Sequence, residues 1–168
     1  LILDNWFPRG GYCQVRGGYV SHATGIPGSI GSLMEWAGPA SRKMFAASAT
    51  EIYDVTSAGA VSSPSTGYTN AYWQHVNITT SGGHFLCAVN GADSYNIYDG
   101  TPRSIPSVTG VSSSDFINIA SYKSRLWFVQ KDSTKAWYLG VSAVAGAATA
   151  FELGDKFRMG GKLQLIGS

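Results

Sequence analysis

The chain has 168 residues, of which 44% are hydrophobic, 21 are glycine and 13% are charged, about half the share of an average globular protein. That balance excludes a disordered chain, and glycine spread along the whole length speaks against a helical bundle or coiled coil. The net charge of +2 is too small for a nucleic-acid-binding domain of the usual basic kind, and no apolar run approaches the roughly 18 residues of a membrane span.

Residues 1–27 stand outside the pattern that governs the rest of the chain and read as an N-terminal extended segment. They carry Asp4 and Arg9 and lack the long apolar core of a secretory signal. Trp6 and Tyr12 have no counterparts later in the chain, which makes them candidates for a contact between subunits.

From residue 28 onward a period of about 41 residues appears. Arg42–Ser48, Gly83–Val89 and Ser124–Gln130 align as short runs that begin polar and continue apolar, with Lys43, His84 and Arg125 at equal spacing. Each run is preceded by a strand-like stretch (Ser32–Trp36, Tyr72–Ile78 and Phe116–Ala120) and followed by an aromatic pair (Ile52-Tyr53, Ile97-Tyr98 and Trp137-Tyr138). Asn90-Gly91 and Asp99-Gly100 are turn dipeptides, because glycine accepts positive φ without steric conflict. The Ser/Pro-rich stretches Ser62–Gly67 and Thr101–Ser107 separate the units, and Val141–Ala150 reads as a loop.

A 41-residue unit of four strands has the size of a β-propeller blade. The fold expected is therefore all-β, a propeller-like array of about three four-stranded antiparallel blades at residues 28–67, 68–110 and 111–160. Lys162–Ile166 would begin a further blade within 161–168. Three blades leave an open arc, so the array is expected either to be part of a larger propeller or to close by association of subunits.

Charge is uneven. Residues 100–168 carry +4 and the remainder −2; Lys123, Arg125, Lys131, Lys135, Lys156, Arg158 and Lys162 read first as an ordinary solvated surface, with a face towards DNA or a neighbouring subunit as the alternative.

Catalytic patterns are scarce. His75 and His84 could face one another across a hairpin, but Cys87, three residues after His84, falls on the opposite strand face, which speaks against a zinc site. Asp54 and Asp99 recur at like positions in two units, the behaviour of a turn cap and not of an acid–base pair. There is no G-x-S-x-G elbow and no phosphate-binding loop. The five tryptophans and nine tyrosines could stack on sugars, though three of the tryptophans lie on repeated strands, where they fill the space between sheets. Cys13 and Cys87 sit in no ligand cluster and read as two free, partly buried thiols, with a single disulfide between them as the alternative. No enzyme activity, metal or cofactor is expected.

Asn5-Trp6-Phe7-Pro8, Met44-Phe45-Ala46-Ala47-Ser48 with Ile52-Tyr53-Asp54-Val55-Thr56, and Phe85–Gly91 with Ile97-Tyr98-Asp99-Gly100 together resemble the tail proteins of short-tailed bacteriophages and their prophage relatives. The resemblance covers most of the chain. It implies a non-enzymatic virion component, a hub or nozzle in several copies around the DNA exit channel. Other tail proteins and phage DNA, bound without sequence preference, would be its partners, and it would be located in the virion tail, after assembly in the host cytoplasm. The alternative from another class is a carbohydrate-binding propeller that recognises a host surface.

Overall fold

The computed structural model describes residues 6–61, 64–157 and 159–167. Trp6–Arg9 (β1) and Tyr12–Val15 (β2) pair as an antiparallel hairpin, and Ala23–Thr24 (β3) follows. Ile30–Ala37 (β4), Arg42–Ser48 (β5) and Glu51–Asp54 (β6) form the first sheet, antiparallel in that order. Gly59–Ala60 (β7) then returns to pair in parallel with β3. The second sheet consists of Gln74–Thr80 (β8), Gly83–Val89 (β9) and Asn96–Tyr98 (β10). After Val108–Thr109 (β11), the third sheet is built from Phe116–Tyr122 (β12), Arg125–Gln130 (β13) and Lys135–Tyr138 (β14). Gly146–Ala147 (β15) pairs in parallel with β11, and Thr149–Glu152 (β16) adds a fourth strand beside β14.

The molecule is thus all-β. Among the described residues it has no α-helix, and so none that could cross a membrane; the only helical turns are 3₁₀ at Ser113–Asp115 and Gly154–Lys156. Neither a barrel nor a closed ring of sheets forms among them.

Four strands per unit are realised only in the third sheet. In the first two, the fourth strand shrinks to single bridges, Ser65 with Ile52 and Ser104 with Ile97. Pro64, Pro102 and Pro106 flank these bridges, and proline has no N–H with which to extend a ladder. The corresponding stretch of the third unit, Gly146–Glu152, holds no proline, and the expected loop there becomes β15 and β16. Residues 161–167 do not begin a further strand. Their backbone is held at isolated points, Leu163 N donating to Ser133 O at 2.8 Å and Ile166 N to Asn118 Oδ1 at 2.9 Å. Within the opening segment Trp6–Arg9 and Tyr12–Val15 form the β1–β2 hairpin, and β3 pairs with β7 as a separate two-stranded sheet, with Ala23 and Ile26 packed on the first sheet.

The ladder registers also revise the period. The facing pairs Met34–Phe45, Val76–Cys87 and Asn118–Val129 are equivalent, and each step between them is 42 residues. Side chains alternate between the faces of a strand, so an alignment at 41 pairs residues from opposite faces. Phe45 and Leu86, 41 apart, belong to one core from opposite sides, the first–second sheet core of Met34, Trp36, Phe45, Ala47 and Ile52 against Leu86, Ala88 and Tyr98. Cys87, 42 after Phe45, points the other way, into the core between the second and third sheets with Ile78, Val89, Phe116, Leu126 and Phe128. Each sheet therefore has an onward face and a back face, and the sheets stack in one direction. Burial of each large apolar side chain in these cores contributes about 1.5–3 kcal/mol.

Candidate functional site

The basic residues of the third unit do not gather on one face. Lys123 and Arg125 lie at the β12–β13 turn; Lys131 and Lys135 lie at the β13–β14 turn, about 17 Å away along β13. Lys123 occupies the left-handed region with φ of 48° and reaches over the Tyr122 ring at 5.4 Å. Arg125 packs its guanidinium 5.3 Å from the Tyr138 ring and donates to Leu139 O at 3.3 Å. Lys135 pairs with Glu152 at 2.9 Å and Lys162 with Asp132 at 2.7 Å, both on the surface, where such pairs are worth little. Lys131 and Lys156 are exposed; with Lys123 they have no carboxylate partner among the described residues. Arg158 lies outside the described residues. The cations available to a phosphate are thus single charges spread around the third sheet.

Trp6 and Tyr12 share a hairpin whose eight strand residues are all exposed. Trp6 faces Val15 and Tyr12 faces Arg9, which puts the two aromatics on opposite faces of the ribbon. Trp6 is neighboured on its side by Pro8, Cys13 and Val15, so this face is the apolar one.

The remaining candidates have structural partners. His75 pairs with Ala88 and His84 with Thr79, so the two histidines share a face but stand about 13 Å apart along the ladder and do not meet. Partial burial, and then the charge of Arg103, hold the His75 pKa below its usual value. Among the described residues no three of His, Cys, Asp and Glu lie close enough to hold a metal ion. Both cysteines are free. Cys13 is exposed on the hairpin, and Cys87 is fully buried, where burial pushes its thiol up to about 12 despite the hydroxyl of Tyr95 donating to its sulfur at 3.1 Å.

Asp54 and Asp99 act as turn caps. Asp54 Oδ1 accepts from Thr56 N at 3.0 Å, and Asp99 Oδ1 from Thr101 N at 3.0 Å, each with the threonine hydroxyl added at 2.5 Å. Hydrogen bonds from Thr101 keep the Asp99 carboxyl below its usual range. Asp54 also takes Lys43 Nζ at 2.7 Å.

One feature was not anticipated from the residues. Arg103 is wedged between the first two sheets, 4.7 Å from the Phe45 ring, with Asn96 Oδ1 at 3.4 Å as acceptor. Open apolar grooves also mark both ends of the stack. One, of about 390 Å³, lies on the back face of the first sheet beside Ile30, Leu33 and Met44; the other, of about 310 Å³, lies on the onward face of the third beside Tyr122, Trp127 and Phe151. The alternation of β4 and β13 could have located them once the register was known. No family model, curated protein or solved structure matches the chain.

Proposed function

We propose that the protein is a non-enzymatic structural component of a phage or prophage virion, a propeller-type module of the tail hub or nozzle set around the DNA exit channel. The observation that carries this reading is the unidirectional stack of repeated sheets, a scaffold whose two ends stay open for neighbours. The likeness of Asn5–Pro8, Met44–Thr56 and Phe85–Gly100 to phage tail proteins supplies the particular role. Contact with DNA, if made through Lys123, Lys131 and Lys156, involves few phosphates, so it is weak and shallow in its salt dependence. Mass spectrometry of purified particles from a host carrying this gene tests the reading. The chain is expected in several copies per particle, and particles of full infectivity that lack it would overturn the proposal.

A further inference from the structure

We infer that copies of this chain associate head to tail, the free onward face of the third sheet on one copy packing against the free back face of the first sheet on the next. The argument is one of polarity. Both internal contacts join an onward face to a back face: Phe45 shares a core with Leu86, and Cys87 shares one with Phe128. A stack built in this way ends in one free face of each kind. At the 42-residue step, the free back face of the first sheet is equivalent to the back face of the second, which an onward face covers. The partner that fits it is therefore an onward face, and the chain carries a free one of its own. A two-fold contact would have to join like to like, a pairing the chain uses nowhere internally.

Both free faces hold an apolar groove that their own chain covers incompletely, and the back face of the first sheet also carries the Glu35–Arg42 ion pair beyond Leu33. Residues 22–28 lie over Ala46 and Val55 on the first sheet, but Leu33 remains 58% exposed. Ile166 reaches the third sheet through Asn118, yet Tyr122 is 52% and Phe151 47% exposed. A contact between unlike faces repeats from copy to copy, giving a ring where the rotation closes and an open filament where it does not. The inference rests on the stacking of the sheets and not on the virion reading, since a tail component can be held by other proteins alone; the two fail separately.

The test uses light scattering on the purified chain across a wide concentration range. Wild type is expected to rise in mass from monomer to multimers. Leu33→Glu on the back face and Phe151→Glu on the onward face should each move the association midpoint at least tenfold higher in concentration. Mixed in equal amounts, the two variants should form a 1:1 dimer, because each retains the face the other has lost. Ile105→Glu, at an exposed apolar residue that lines neither groove, should assemble as wild type does. Circular dichroism and melting check that each variant is folded, and Tyr122→Glu replaces Phe151→Glu if that variant is not. A wild type that stays monomeric, single variants that assemble normally, or variants that do not pair on mixing would each overturn the proposal.

Discussion

The first and second sheets are held together differently from the second and third. In the first contact, polar groups reach across to backbone. Trp36 Nε1 donates to His84 O at 2.9 Å, Asn77 Nδ2 to Glu35 O at 2.8 Å, and Ser32 Oγ both donates to Ala71 O at 2.6 Å and accepts from Trp73 N at 2.7 Å. In the second, Tyr95 meets Phe128 edge-on, Phe128 itself stacks on Phe116 within the third sheet with centroids 4.3 Å apart, and Gly91 N donates to Phe116 O at 2.8 Å. Hydrogen bonds are directional and individually modest, whereas apolar burial is large and non-directional. Both contacts bury an apolar core, and Trp36 and Phe45 meet Tyr98 edge-on across the first; what sets the first apart is the set of directional bonds that fixes how one sheet is aligned on the next.

The largest expected effect breaks the second contact. Phe128→Ala empties a fully buried site and should cost about 3–5 kcal/mol in urea unfolding. Native protein should show one thiol reactive towards a disulfide reagent, Cys13, while Cys87 in this core reacts only on opening; Phe128→Ala should speed that second reaction. A loss below about 1 kcal/mol would mean that the second contact does not depend on this core. Next, Gly31→Ala wedges the first contact, since a Cβ there would lie 2.8 Å from both Ala71 Cβ and Ala71 O. It should cost about 1–3 kcal/mol, and a neutral outcome would mean that the sheets slide freely. Ser32→Ala leaves the Ala71 carbonyl and the Trp73 N–H without their partner and should cost about 1–2 kcal/mol, less than Phe128→Ala by the same measurement.

The smallest effect is a pH dependence near the first contact. Burial pushes the Asp93 carboxyl up, but Thr69 N, Thr69 Oγ1 and Asn90 Nδ2 hydrogen-bond to it and hold it below the usual carboxylate range. A folded pKa below the unfolded one gives stability that is complete above the unfolded value, roughly 3.9, and is lost as pH falls through the folded value. The melting temperature should therefore drop between about pH 5 and pH 3 in the wild type and drop less in Asp93→Asn. Identical slopes would exclude this carboxylate as a contributor.

The strands were legible because their runs are β-branched and aromatic and end in turn residues. Ser32–Trp36 lies inside β4, and Arg42–Ser48 coincides with β5. The period was legible only to within one residue. Phe85-Leu86-Cys87-Ala88-Val89 is apolar at every position because both faces of the second sheet are covered, so it lacks the alternation that would have set the register. Chemical likeness aligned Lys43, His84 and Arg125 instead, at hairpin ends whose loops differ in length: four residues separate β4 from β5, and two separate β8 from β9. The Asp54 and Asp99 caps were readable because an aspartate two residues before a threonine is a local device. That the lysines scatter was not, since their placement depends on how the third sheet folds. Nor was β15, whose two residues, Gly146 and Ala147, become a strand only because β11 lies alongside.

The 42-residue step has a consequence for how such a chain can lengthen. A tandem copy of one unit adds a sheet that faces the same way as its neighbours, because it carries the same turns and registers with it. One extra residue inside a strand turns the side chains between it and the next turn or bulge to the other face, as the register shifts at Ile30/Ser32 and Phe116/Asn118 show locally. A loop can absorb the odd residue: Ile52 and Ile97 stand 45 apart yet both point onward, because the longer turn between Val89 and Asn96 takes up the difference. A change of one residue is thus absorbed in a turn or at a bulge, and elsewhere in a strand it exchanges the covered face for the open one.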